Sequence, residues 1–145
     1  MADAFDLESF LPYLLNRAAD EASLGFAAIY KSRYGMLRTE WRVLFHLGRA
    51  GPLTARDICN RAGLHKTKVS RAVAALEKRR FLAREPMPHD RRHELLSLTA
   101  AGRTAYRDLS KSASDYDRKL GARFSAGELA TLRRCLGLIA AGSRG

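Results

Sequence analysis

Cysteine is scarce in this chain: Cys59 and Cys135 are its only two in 145 residues, too few for the disulfide framework that staples small secreted domains. No apolar run approaches the roughly 20 residues that a bilayer-crossing helix needs. The opening Met1-Ala-Asp-Ala-Phe-Asp6 is acidic, whereas a secretory signal starts basic. A cytoplasmic protein in a reducing compartment is expected. A glycine-rich phosphate loop, a nucleophile motif and a patterned pair of carboxylates are all missing, so the reading is not an enzyme. His46, His65, His89 and His93 are scattered without the short spacing of metal ligands, and neither metal nor cofactor is expected. Acid is also in short supply. Fifteen Asp and Glu face 26 Lys and Arg, for a net charge of +11. So basic a small domain points to a polyanionic partner, because neutralising phosphates releases counterions; the alternative is a merely well-solvated cationic surface.

What is present is helical periodicity, with 46% hydrophobic residues in a globular balance. Leu11, Leu14, Leu15, Ala18, Ala22, Phe26, Ile29 and Tyr30 fall on one helical stripe that ends at Tyr34-Gly35. A second helix carries Trp41, Leu44, Phe45 and Leu47 and is expected to close at Gly48 and the Gly51-Pro52 break. Thr54 and Asp57 then read as a helix start for a short helix to about Ala62. Past Gly63, a helix from about Lys66 to Arg79 repeats Val69, Ala72, Val73 and Leu76 at i, i+3, i+4, i+7. Two short helices about a glycine turn make a helix-turn-helix. Strands are predicted at Phe81–Glu85 and Glu94–Leu98, joined by a charged loop from Pro86 to Arg92, as a wing of two or three strands. Thr99 caps a long helix to about Arg123, and Ser125 with Glu128 forms a capping box before a last helix bearing Leu129, Leu132, Leu136 and Ile139. The fold class is therefore mainly α with a small β wing, a winged helix-turn-helix.

The charge is not spread evenly. Between Arg56 and His93 lie eleven Lys or Arg against four acids, so about a quarter of the chain carries most of the excess. The helix from about Lys66 to Arg79 exposes His65, Lys66, Thr67, Lys68, Ser70 and Arg71 in its first half. Side chains there reach base edges when such a helix enters a major groove, with Lys and Arg suited to guanine and Thr and Ser to bases or phosphates. At the wing, Arg91 or Arg92 suits a narrow minor groove, with Asp90 orienting an arginine; an exposed Asp–Arg pair is also ordinary surface chemistry.

These pieces in order, namely Glu40-Trp-Arg-Val-Leu44, Leu64 through Leu76-Glu-Lys78, Asp90-Arg-Arg92 and Leu98-Thr-Ala-Ala-Gly102-Arg103, resemble the multiple antibiotic resistance regulator (MarR) family from about Leu11 to Ile139. The resemblance implies one domain over residues 1–145, with a DNA-binding lobe at about 37–98. It also implies a two-fold homodimer joined through helices at about 8–34 and 99–141. It implies a repressor that binds pseudo-palindromic double-stranded DNA and is released by a small ligand, often an aromatic acid, held between the two regions. The DNA-contacting positions expected here are Arg56, Lys66, Thr67, Lys68, Ser70, Arg71, Asp90, Arg91 and Arg92. For an anionic effector the candidates are Arg17, Trp41 and His46 on the first two helices. Arg17 offers a carboxylate a fork-like donor or is a partly exposed interface residue, and Trp41 is a core residue or a ligand platform.

Two positions depart from the family pattern. Leu37 replaces a capping Thr, an omission worth about 1 kcal/mol. Arg80 replaces a turn glycine, at a similar cost of about 1 kcal/mol if the backbone there keeps a positive φ. Cys59 and Cys135 read as small buried residues. Besides the regulator, two other functions fit: a sequence-tolerant architectural DNA-binding protein, and a redox-responsive regulator using one of the cysteines.

Overall fold

The structure, a computed structural model, describes residues 4–142; the side chain of Arg91 lies outside the described residues. After a single 3-10 turn at Leu7–Ser9, helix α1 runs Leu11–Tyr34, with proline in its first turn, where the missing N–H costs no helical bond. It stops at Gly35, whose φ of 62° is the left-handed conformation glycine adopts without penalty. Helix α2 covers Arg38–Ala50. It begins without a side-chain cap, as Leu37 predicts, and only the Glu40 half of a capping box exists: Glu40 Oε2 accepts the Leu37 N–H at 3.2 Å. Gly48 does not close α2. It sits inside the helix because a Cβ there would lie 2.4 Å from the Tyr106 ring.

Helix α3, Ala55–Ala62, opens with a reciprocal box in which Thr54 and Asp57 exchange N–H···O bonds of 3.1 Å each. Those bonds hold the Asp57 carboxyl below its usual range. Gly63, at φ 64°, turns the chain into α4, Lys66–Lys78. Strands β1, Leu82–Met87, and β2, Asp90–Leu98, then pair antiparallel from Leu82↔Leu98 to Met87↔Asp90. The predicted loop from Pro86 to Arg92 is therefore mostly strand, and only Pro88 and His89 turn. The ladder absorbs its prolines through a register irregularity between Pro86 and Met87, as an exposed two-stranded ribbon allows. Leu53 adds a one-residue bridge to Leu96, the rudiment of a third strand. Helix α5 covers Ala100–Gly121, capped by Thr99. Helix α6 covers Ala126–Ala141, with Ser125 and Glu128 in the expected box.

One core joins α2, α3, α4, the base of the hairpin and the first half of α5. Val43, Leu44, Ile58, Val69, Leu76 and Leu109 are wholly buried there, and Phe26 and Tyr30 bring the second half of α1 against it. Much of the first half of the α1 stripe and most of the α6 stripe are not covered within one chain, and neither are Leu24 and Leu138 beside them. Leu11, Leu14, Leu24, Leu132, Leu136, Leu138 and Ile139 are exposed. Cys135 is exposed as well, contrary to the buried reading, because α6 buries none of its residues in the single chain. Cys59 is half-buried against the core.

Arg80 keeps the backbone of the glycine it replaces, at φ 63°. The Phe81 N–H reaches Leu76 O at 2.9 Å and the Arg80 N–H reaches Glu77 O at 2.9 Å, the paired bonds of a left-handed helix stop. Arg80→Gly is expected to raise stability by about 0.5–1 kcal/mol, read from urea unfolding; no gain would mean that the turn carries no strain.

Candidate nucleic-acid interface and effector pocket

The buried stripe of α4 fixes which residues face outward. With Val69, Ala72, Val73 and Leu76 inside, the 100° helical step puts Thr67 and Arg71 at the outer pole. Lys66 and Ser70 flank them on the hairpin side and Lys68 on the other side. All five side chains are exposed. His65, the N-cap of α4, makes no side-chain capping bond, so the first amides of α4 stay available to an anion at the positive end of the helix.

Between α4 and the hairpin lies a cleft of about 890 Å³, walled by Arg56, Lys66, Ser70, Arg84 and Arg92 among others. It brings together four of the predicted DNA-contacting residues, and Cys59 lies in its wall. Arg92 is 92% exposed. Its backbone N–H is held by Asp90 Oδ1 at 3.0 Å, and the same oxygen lies 3.7 Å from its Nε. Asp90 thus shapes the wing beside Arg92, with His93 Nε2 3.6 Å from its other oxygen. The side chain of Arg91, the remaining wing candidate, is outside the described residues. Arg84, which sequence reasoning counted but did not select, bonds Glu77 at 3.1 Å and lies 3.8 Å from Glu94. It ties the hairpin to α4.

A second depression, of about 630 Å³, opens between α1, α2 and α5. Phe26, Tyr30, Trp41, Phe45 and Tyr116 line it together with Arg38 and Arg42. Trp41 packs edge-on to Phe26 at 5.3 Å and to Phe45 at 5.0 Å between centroids, so it is core and pocket wall at once. Arg17 and His46 stand outside that lining. Arg17 is exposed farther up α1. His46 is pushed below the usual histidine range by burial and by Arg42, Arg61 and Arg49, which keeps it neutral at pH 7. Sequence reasoning missed Arg38 and Arg42. Their signal is the i, i+4 spacing on either side of Trp41.

Arg79, at the end of α4, turns back over the hinge between α1 and α2 with its side chain 34% exposed. It donates to the carbonyls of Tyr34 and Gly35 and lies 3.6 Å from Glu40 Oε1, an oxygen with no hydrogen-bond partner among the described residues. Tyr34 also donates to Asp108 at 2.7 Å. Burial first and then that bond push its phenol up to about 12, so it stays a donor across physiological pH.

Compared with known proteins, residues 34–93 match the MarR family model, a span running from the α1–α2 hinge through both helices of the helix-turn-helix into the wing. Over this span the chain is similar to MarR-family regulators. The uncharacterised HTH-type transcriptional regulator YcgE of Bacillus subtilis is 30% identical over 95 residues, which are 66% of this chain and 62% of that relative. The match thus spans less than two thirds of YcgE. Among solved structures, a MarR/EmrR family transcriptional regulator from Acinetobacter sp. ADP1 superposes with a TM-score of 0.84 at 25% identity, covering 94% of this chain and 96% of its own. The PcaV transcriptional regulator from Streptomyces coelicolor, solved in complex with its natural ligand, shares the fold with a TM-score of 0.83 at 22% identity over 99% and 100% of the two chains. Among the described residues, no helix is long and apolar enough to cross a membrane.

The Arg79 clasp gives a stability prediction. The Glu40 side chain is 4% exposed, and removing its cation leaves a buried charge without a partner. Arg79→Ala is expected to cost about 2–3 kcal/mol in urea unfolding, and Glu40→Gln in that background to recover about 1 kcal/mol or more. Equal losses in the single and double variants would show that the ion pair contributes nothing.

Proposed function

We propose that this protein is a sequence-specific, double-stranded-DNA-binding transcription regulator, a repressor released by a small anionic aromatic ligand. The observation that carries the reading is the exposed cationic first half of α4 set beside a wing arginine that is 92% exposed. Lys66, Thr67, Lys68, Ser70 and Arg71 read the major groove; Arg56 holds phosphate; Arg92, with Arg91, enters the minor groove beside Asp90. Residues 37–98 serve as the DNA-binding lobe of one domain.

Residues 8–34 and 99–141 hold two copies together. The support is the apolar surface left open on α1 and α6, where Leu11, Leu24, Leu138 and Ile139 are each more than half exposed. So much unpartnered apolar surface at one end is unusual for a monomer. The effector reading rests on the aromatic pocket with Arg38 and Arg42 on its wall, since a planar acid suits stacked rings and guanidinium forks.

Two experiments test the reading. In anisotropy titrations against the gene's own upstream DNA and a shuffled duplex, preference for the native segment is expected to reach about 10³. Arg71→Ala is expected to cost about 1–3 kcal/mol and relax sequence preference, whereas Arg92→Ala weakens binding with little change in major-groove preference. Flat affinity that falls steeply with salt would favour the architectural, sequence-tolerant function instead. In sedimentation, the wild type is expected at twice the 16.1 kDa chain mass. The double variant Leu138→Glu with Ile139→Glu should move to the monomer and lose operator affinity; a wild type that sediments as a monomer would remove the dimer.

A further inference from the structure

Arg42 touches both the aromatic pocket and the helix-turn-helix. It lines the pocket beside Arg38 and Trp41, and its Nη2 donates to the Ala62 carbonyl at 2.6 Å. Ala62 is the last residue of α3, directly before left-handed Gly63. Carbonyls at a helix C-terminus lack helical partners and carry partial negative charge, so this contact fastens the end of α3 to α2. Four residues later Lys66 opens α4. The turn between them is otherwise lightly held: the N–H groups of Gly63 and Leu64 share the Cys59 carbonyl at 2.9 and 3.2 Å.

Among the described residues, the guanidinium has no acid to balance it: no carboxylate comes within ion-pair distance of Arg38 or Arg42. Asp117, on the pocket wall, is taken by Arg133 at 2.9 Å. Burial and the charge of Arg38 both press Arg42 below the usual guanidinium range. A carbonyl is a weaker partner than an anion, because a bond between two charged groups is roughly twice as strong as a neutral one.

We propose that an anionic ligand in this pocket takes the Arg42 guanidinium from the Ala62 carbonyl, and that this exchange carries pocket occupancy to the recognition helix. The inference rests on the effector reading above and names the residue that transmits the signal. The ring of the ligand lies among Phe26, Trp41 and Phe45, its acid group faces Arg38 and Arg42, and the α3–α4 turn loses its tie to α2. The shift needs a difference in ligand affinity between the tied and released states, and the new ion pair supplies it.

Trp41 is the chain's one tryptophan, so its fluorescence reports pocket binding directly. Benzoate and its neutral analogue benzamide serve as probes. Hydrogen exchange over residues 59–68 reads the turn, and anisotropy against the upstream DNA reads function. In the wild type, benzoate is expected to quench Trp41 at far lower concentration than benzamide, to speed exchange over 59–68, and to weaken DNA binding about tenfold. Arg42→Gln is expected to show the faster exchange and the weaker DNA binding without any ligand, and benzoate should then add less than about twofold. Arg42→Met, which keeps the apolar stem, carries the same expectation should the glutamine variant not fold.

Quenching that leaves exchange and DNA affinity unchanged in the wild type would overturn the relay while the pocket stands as a binding site. Either folded Arg42 variant matching the ligand-free wild type in turn exchange and DNA affinity would overturn it too. Absence of quenching by benzoate removes the aromatic-acid reading, and the relay with it.

Discussion

Four side chains on one stripe of α4 decide the geometry of this molecule. Val69, Ala72, Val73 and Leu76 are between 0 and 2% exposed, and each contributes on the order of 1.5–3 kcal/mol by leaving water, with alanine below that range. Because they must face α2 and α3, rotation of α4 about its axis is fixed, and with it the outward direction of Thr67 and Arg71. A cationic helix free to roll would bind phosphate indiscriminately. One locked by its buried face presents the same side chains to the same groove each time, which sequence readout requires. The exposed cationic face and the core are two faces of one helix, so a packing defect behind Val73 also displaces the proposed reading surface.

The far end of α4 is held by a different kind of force. Arg79 gathers the Tyr34 and Gly35 carbonyls and the buried carboxylate of Glu40, so the stop of α4 is tied to the hinge where α1 becomes α2. Arg80 follows at positive φ and the Thr99 hydroxyl donates to its carbonyl at 2.6 Å, which joins the same corner to the start of α5. Nearby, Arg33 and Tyr34 both donate to Asp108. The Arg33–Asp108 pair is nearly half exposed on each side and contributes under about 1 kcal/mol. The Glu40 contact is the one that matters, because a carboxylate out of water cannot tolerate losing its cation. Strain at Arg80 and the unsatisfied Glu40 oxygen thus sit side by side at the corner where α1, α2 and the end of α4 meet.

Much of this was legible in the residue pattern, and the misses have physical causes. Helix starts were clear because Thr54, Thr99 and Ser125 announce themselves chemically. The recognition helix was clear because its period is unbroken. Gly48 read as a stop because a glycine inside a helix costs stability, and only the position of the Tyr106 ring shows why it is tolerated. Pro86 and Pro88 hid the outer half of the hairpin, since a sequence does not reveal that the ribbon has free edges where proline is harmless. Arg17 drew notice as a guanidinium on α1, yet it lies nine residues before Phe26, about 13 Å along the helix, beyond the lobe that forms the pocket wall. Arg38 and Arg42 were passed over because arginine on an amphipathic helix ordinarily faces water. That Ala113, Tyr116 and Asp117 of α5 line the same depression is a tertiary fact.

Helix α2 touches the aromatic pocket, the core and the end of α3 at once, and its periodicity explains why. Val43, Leu44 and Leu47 point into the core against which α4 is set. Trp41 and Phe45, displaced around the same turns, face α1 and make one wall of the aromatic pocket. Arg42 falls between the two faces, and its length lets it reach the end of α3. Thirteen residues therefore present an aromatic pocket wall, a core face and a polar tether within 360° of one rigid rod. No long chain of contacts is needed to connect pocket and DNA surface, because a helix that shifts at its aromatic face must shift at its core face too. The elements able to respond are those held to it by polar contacts instead of by buried area: the turn behind Ala62 and the clasp at Arg79. Those two points bracket α4, one at each end, so the ends of the exposed cationic helix are tied to α2 and the α1–α2 hinge by polar contacts.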